Sequence, residues 1–297
     1  MARFGARKVW LHLRPDRQTA AASRPMWQPA WSCLRREYEL PRDDAPFADA
    51  VILAAGASSR MAGSDKLLME VGGLPLLAWT VRAARAAATV RRIIVVSRPD
   101  RVGPLSDEPW LRANHATVVA GGLRRQDSVA AGVGSTDAEV VLVHDGARPL
   151  VTSVLFDRVA HAAQLHGAAV PVVAVPESMR RLVNGRIVSI LDRSNLYRSQ
   201  TPHGVRRGLL LRAYAVHDPR GLETFIDETA IVQAAGIPVC TVLGEPANLK
   251  VTLPGDEQLA FALLEARARA VDAESTREGR LPGDTGVGMS PAGRRRP

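Results

Sequence analysis

The residues best suited to chemistry stand together in Ala54-Ala55-Gly56-Ala57-Ser58-Ser59-Arg60-Met61, a stretch that runs on to Lys66. Small side chains, with Gly56 among them, let backbone N–H groups approach an anion closely. Ser58 and Ser59 add hydroxyl donors, and Arg60 and Lys66 add fixed positive charge. That combination suits a triphosphate. The stretch has one glycine where the dinucleotide fingerprint needs three, and it lacks Walker A spacing, which argues against an NAD-type site or a P-loop. Taken alone, it reads equally well as an ordinary polar loop between a strand and a helix.

The elements that must position it follow from hydrophobic patterning. Ala50 to Leu53 predicts a buried strand before the loop, and Leu74–Val90 a helix after it. Further apolar strands are expected at Ile93–Ser97, Ala116–Ala120, Val140–Val143, Ala168–Val175 and Ile237–Leu243. Helical patterns cover Gln126–Gly132, Thr152–His166, Val205–His217, Asp227–Ala235 and about Gly255 to Ala270. Short apolar strands alternating with helices predict a parallel sheet covered on both faces. Ligands of such sheets bind beyond the carboxyl ends of the strands. The glycine loop, Gly121-Gly122 and His144-Asp145-Gly146-Ala147-Arg148-Pro149 all follow predicted strands, so they are expected on one edge. Residues 177–205 break the rhythm. Asn184-Gly185, between Arg181-Leu182-Val183 and Arg186-Ile187-Val188, is a type I′ hairpin signal and predicts a projecting β-arm. A lone two-stranded arm is marginal in water, so a second subunit is expected to cover it.

The chain has 297 residues, 46% of them hydrophobic, enough for a substantial core. Aromatics are only 4%, too few for the stacking platforms of a single-strand nucleic-acid binder. The net charge is +9, but nine basic against five acidic residues lie before Phe47, so the basic balance does not by itself imply nucleic acid. Two cysteines, Cys33 and Cys240, form neither a disulfide framework nor a zinc spacing, and a reducing cytoplasm is expected. No apolar run approaches the roughly 18–20 residues of a membrane span. Residues 1–47 lack periodicity and are expected to be an irregular, disordered extension, and removal of residues 1–46 is expected to leave catalysis intact. Residues 48–272 are expected to form the catalytic domain, and the Gly-, Pro- and Arg-rich 273–297 a solvated tail.

Several motifs occur in one order: Ala54-Ala55-Gly56…Arg60-Met61…Lys66, Gly121-Gly122…Arg125-Gln126-Asp127-Ser128-Val129, Val143 to Pro149, Leu191-Asp192-Arg193, Gln200-Thr201-Pro202, Asp227-Glu228 and Asn248-Leu249-Lys250-Val251-Thr252. Over about residues 49 to 270 this order resembles the 2-C-methyl-D-erythritol 4-phosphate cytidylyltransferases of the non-mevalonate isoprenoid pathway. The resemblance implies an α/β, Rossmann-like nucleotidyltransferase fold, with a mostly parallel twisted sheet, helices on both faces and the β-arm. It implies transfer of a cytidylyl group from CTP to the polyol phosphate, with Mg²⁺ held mainly by the CTP phosphates and water rather than by protein ligands. Arg60, Lys66 and Lys250 are then catalytic. Ala54, Ala55, Gly56, Gly122 and Ser128 bind the nucleotide. Asp145, Arg148, Ser178, Arg193 and Thr201 bind the second substrate, with Arg193 and Arg148 crossing from the partner of a homodimer. Taken singly, Arg148 also reads as a surface ion pair, Thr201 as a cap and Arg193 as a solvated arm residue.

Three positions depart from the family pattern. Asp65 replaces a proline before the lysine, Leu123 replaces a polar residue after the two glycines, and Ile226 replaces a phosphate-contacting threonine. Other readings therefore stay open. These are a cytidylyltransferase for another polyol phosphate such as ribitol 5-phosphate, a molybdenum-cofactor nucleotidyltransferase, or a non-catalytic nucleotide-binding protein. A phosphate monoester is already anionic near neutrality, with a second pKa near 6, so the lack of a nucleophile–His pair is no objection to transfer.

Overall fold

The computed structural model describes residues 45–56 and 66–278. Arg60, most of the expected N-terminal extension and most of the expected tail lie outside the described residues, as does Cys33.

The core is one mostly parallel sheet. Strand β1 (Ala48–Leu53) lies at its centre, parallel to β4 (Val90–Ser97) on one side and to β6 (Val140–Asp145) on the other. Between β1 and β4 in sequence, β2 (Glu70–Val71) and β3 (Leu74–Pro75) form a separate two-stranded ribbon. Beyond β4 in the sheet comes β5 (Ala116–Ala120), also parallel. On the other flank β7 (Ala168–Ala174) is joined to β6 through β11 (His203–Arg206), which runs antiparallel to both. β10 (Tyr197–Ser199) pairs antiparallel with β7, and β12 (Cys240–Leu243) pairs parallel with it. Strands buried on both faces read as continuous Val- and Ile-rich runs, as in Val140 to Val143. One cluster packs Leu76, Leu77, Leu155, Phe156 and Val159 on one face of the sheet. A second packs Val129, Val133, Leu210 and Ile231 on the other. Helices Leu76–Arg85 and Ser153–His166 cover the first face, and Arg125–Gly134, Arg207–Val216 and Glu228–Ala234 cover the second.

Some expected boundaries move. The helix predicted over Leu74–Val90 spans only Leu76–Arg85. Its expected first turn is instead taken by the ribbon strand β3, and β-branched Val90 opens β4. The segment predicted as a helix from Val205 begins as strand β11, because its backbone bonds are taken by β6 and β7. The strand expected from Ile237 starts at Cys240. The last helix, Asp256–Glu278, runs on into the segment expected to be a tail. Its Ala, Glu and Arg content favours helix.

The arm is as expected. Strands β8 (Met179–Val183) and β9 (Arg186–Leu191) pair antiparallel around Asn184 and Gly185, with φ of 48° and 75°. Positive φ at both central residues is what a type I′ turn requires. Leu182, Val183, Ile187, Val188 and Ile190 are all exposed on it.

Candidate active site

β1, β4, β5 and β6 end on the same edge of the sheet, and a cleft of about 720 Å³ opens there. Ala55 and Gly56 enter it from the end of β1, and Gly121 and Gly122 from the end of β5. Asp145 closes β6 beside it, and Lys66 and Lys250 face it from distant parts of the chain. Ala54 lies just beneath, nearly buried, its N–H donating to the Val96 carbonyl at 2.7 Å.

Sterics set the far wall. A Cβ on Gly122 would lie 2.3 Å from the Asp127 Cβ, so only glycine fits against the start of helix Arg125–Gly134. The Gly122 N–H donates to the Ser128 hydroxyl at 3.2 Å, which pins the loop to that helix. Ser128 is thus used first to hold the wall in place, while still bordering the cleft.

The charged groups form a chain. Lys66 Nζ donates to the Val251 carbonyl at 2.8 Å, immediately beside Lys250. Lys250 Nζ donates to Asp145 Oδ2 at 2.9 Å. The Asp145 N–H donates to the Thr201 hydroxyl at 3.1 Å, and that hydroxyl also shares a hydrogen bond with His144 Nδ1 at 3.1 Å. Arg148 lies with Nε 3.8 Å from Asp145 Oδ2, its Nη1 donating to the Asn248 carbonyl at 2.9 Å. Burial works against the Asp145 charge, but Arg125, Lys250 and Arg148 outweigh it and hold the carboxyl well below the usual carboxylate range. Burial pushes the Arg148 guanidinium down, partly offset by Asp145.

The sequence-predicted residues therefore separate into groups. Ala55, Gly56, Gly122, Ser128, Lys66, Lys250 and Asp145 converge on the cleft. Thr201 is buried behind Asp145 and fixes its backbone. Arg148, expected to cross from a partner subunit, packs instead against Asp145 and Asn248 of its own chain. Arg193 and Ser178 lie at the arm, away from the cleft. Arg193 is exposed and donates to the Pro176 carbonyl, and Ser178 is exposed. Sequence reasoning missed Arg98, Arg125 and Thr252, which also line the cleft. The signal for Arg125 was present, since it stands inside a quoted motif two residues before Asp127. Leu123 and Ile226 are both exposed.

His144 is fully buried, its ring 5.2 Å from that of Phe156. Burial pushes its pKa down to about 3. In the unfolded chain the same group titrates near 6.5. Its contribution to stability is therefore complete above about pH 6.5 and is lost progressively as pH falls toward 3, because only the unfolded chain takes up the proton. His203 has the opposite sign: with its pKa raised beside Glu228, its contribution is complete below about pH 6.5 and is lost only as pH rises above that value. Thermal unfolding is expected to shift to lower temperature between pH 7 and 5, and His144→Gln should flatten that slope. An unchanged slope in the variant would assign the acid sensitivity elsewhere.

Among the described residues no His, Cys, Asp and Glu cluster could cage a metal. The carboxylate of Asp145, at the cleft, is already engaged by Arg125, Lys250 and Arg148.

A cleft at the carboxyl ends of parallel strands, walled by small-residue backbone and faced by convergent cations, together with this sheet topology, places the protein among the α/β nucleotidyltransferases. Residues 48–266 match the family profile described as IspD: 2-C-methyl-D-erythritol 4-phosphate cytidylyltransferase. The chain is 38% identical over 236 residues to the 2-C-methyl-D-erythritol 4-phosphate cytidylyltransferase of Frankia casuarinae, covering 78% of this chain and 86% of that one. It is 40% identical over 219 residues to a bifunctional IspD/IspF enzyme of Anaeromyxobacter dehalogenans, where the match covers 72% of this chain and only 56% of the relative. The crystal structure of the Thermus thermophilus cytidylyltransferase superposes with a TM-score of 0.61 at 36% identity, over 72% of this chain and 98% of that one. The chain belongs to the 2-C-methyl-D-erythritol 4-phosphate cytidylyltransferase family. Among the described residues, no helix is long and apolar enough to cross a membrane.

Proposed function

We propose that this protein transfers a cytidylyl group from CTP to 2-C-methyl-D-erythritol 4-phosphate, giving 4-diphosphocytidyl-2-C-methyl-D-erythritol and pyrophosphate. The observation that carries the reading is the bond from Lys66 to the main chain beside Lys250, which brings two ammonium groups to one cleft from opposite ends of the domain. A phosphate oxygen of the polyol attacks the α-phosphorus of CTP, and the bond to the β-phosphate oxygen breaks as pyrophosphate leaves. The attacking monoester is anionic already, so the protein supplies position and charge rather than a base. Lys66 and Lys250 face the charge that grows on the transferred group, and the family resemblance assigns Arg60, outside the described residues, to the same role. Asp145 orients Lys250 and offers a carboxylate to the polyol hydroxyls. Arg148 stands behind it for the phosphate of the second substrate. A divalent cation such as Mg²⁺, arriving with the triphosphate, would neutralise the leaving pyrophosphate.

We assign the wall of Ala55, Gly122 and Ser128 to the cytosine of CTP, which it would read by hydrogen bonds to the base edge. Pyrophosphate release with CTP and the methylerythritol phosphate is expected to exceed that with ATP or GTP by more than ~10-fold. Comparable turnover with a purine nucleotide would refute the base assignment. Faster turnover with ribitol 5-phosphate would move the second substrate.

The working form we propose is a homodimer joined through the arm, whose apolar residues are exposed, with no cover among the described residues. Arg193 and Ser178 would then act at the partner's site. Light scattering at micromolar concentration should give twice the monomer mass. A fully active monomer would remove the arm from the site. We assign the protein to the cytoplasm, the compartment that supplies CTP.

A further inference from the structure

Behind the cleft lies a run of buried charge that the transfer reaction does not call on directly. Glu228 opens helix Glu228–Ala234, and its side chain is wholly buried. One of its oxygens accepts from Arg125 Nη1 at 2.6 Å, and the other from His203 Nδ1 at 2.7 Å. Arg125 Nη2 reaches on to Asp145 Oδ1 at 3.4 Å. Three elements distant in sequence thus meet at one carboxylate: the start of helix Arg125–Gly134, strand β11 and the start of helix Glu228–Ala234.

Stability is a weak reason for such an arrangement, because a buried ion pair is often no better than apolar packing of the same volume. Its geometry gives a stronger one. The Arg125 guanidinium is a planar fork, and here its two amino groups are divided between two carboxylates. Without the Glu228 charge, both prongs are free to close on Asp145 as a bidentate pair. That would draw the carboxylate toward helix Arg125–Gly134 and away from Lys250, which now holds its other oxygen. Arg125 itself lines the cleft, so its withdrawal would also change the charge facing a nucleotide.

We propose that Glu228 is a positioning residue for the active site, dividing Arg125 between two carboxylates so that Asp145 and Lys250 stay set for substrate. His203 holds the second oxygen of Glu228 and fixes the direction in which the first one points. Glu228 touches no substrate and acts through Arg125 alone. The proposal rests on the transferase reading given above.

A double-mutant cycle between Glu228→Gln and Arg125→Gln tests it on the full chain, with two readouts: kcat and KM from pyrophosphate release, and the CTP dissociation constant from calorimetry. A misplacement of about 1 Å near reacting groups costs as much as ~100-fold in rate. Glu228→Gln should therefore lower kcat/KM by about 10- to 100-fold and weaken CTP about 10-fold in the wild-type background. In the Arg125→Gln background it should change either by less than about threefold, since contacting residues acting through one another are not additive. Equal factors in both backgrounds, or wild-type values for Glu228→Gln, would overturn the proposal. Should Glu228→Gln fail to fold, Glu228→Asp keeps the charge but falls a methylene short of Arg125, and the same loss is expected. Should both fail, Arg125→Lys decides. One ammonium cannot span both carboxylates, so a wild-type kcat/KM there would overturn the proposal. Wild-type protein that binds CTP but releases no pyrophosphate would sink the transferase reading instead, leaving the CTP cycle to decide the role of Glu228.

Discussion

Lys66→Ala is expected to lower kcat by 10²- to 10³-fold with a smaller rise in KM for CTP. Charge on the transferred phosphoryl oxygens grows as the bond to pyrophosphate breaks, so a cation beside them is worth more in the transition state than in the ground state. Losing one such contact costs about 3–4 kcal/mol, by comparison with a lost oxyanion-hole donor. The structure adds a second reason. Lys66 Nζ is held at the Val251 carbonyl, so its reach into the cleft is set before substrate arrives. Lys66→Arg should rescue only in part, since a planar fork does not replace a compact charge at a single carbonyl. A surface lysine would give a change of ~0.5 kcal/mol or less, about twofold. Steady-state kinetics on folded Lys66→Ala separates the two, and a near-wild-type kcat would end the catalytic assignment.

Gly132→Val is expected to destabilise the domain by about 3 kcal/mol or more. Gly132 is buried where helix Arg125–Gly134 lies on the sheet, and a Cβ there would sit 2.3 Å from Val51 Cγ1 and 3.0 Å from Val96 Cγ2. Both valines are wholly buried on β1 and β4. Their branched side chains are short and stiff, so the helix must lift instead. Overpacking of this kind costs about 1–3 kcal/mol, occasionally more, and outweighs the few tenths of a kcal/mol, roughly, by which valine exceeds glycine in helix propensity. At about 2–4 °C per kcal/mol, the melting temperature should fall by roughly 6–12 °C. The same helix carries Arg125 and Ser128, so activity should fall before the protein unfolds. A melting temperature within about 2 °C of wild type would show that the helix rides on the sheet more loosely than its contacts indicate.

What was legible in the sequence was whatever a local pattern encodes. Ala54-Ala55-Gly56 and Gly121-Gly122 follow apolar runs, and both lie on the cleft edge as expected. Asn184-Gly185 wrote its own turn. Strand β11 was missed because His203-Gly204-Val205-Arg206 has neither alternation nor length. It is a strand only because β6 and β7 lie on either side of it. Arg148 was misplaced for a related reason, since its partner, the Asn248 carbonyl, lies 100 residues away along the chain. Glu228 was visible as one letter of a motif, but a burial that joins Arg125 to His203 leaves no periodic trace.

The placement of β1 also bears on how the chain is made. Among the described strands, the first to leave the ribosome occupies the middle of the sheet, and its second partner, β6, is not synthesised until Val140 to Asp145. The far flank waits longer still, because β12 supplies its pairing to β7 only at Cys240 to Leu243. Contacts this distant along the chain fold slowly, and a nascent chain keeps its apolar strands open until they close. Lys250 follows β12 in sequence, so the cleft receives this cation after every described strand of the sheet has been made.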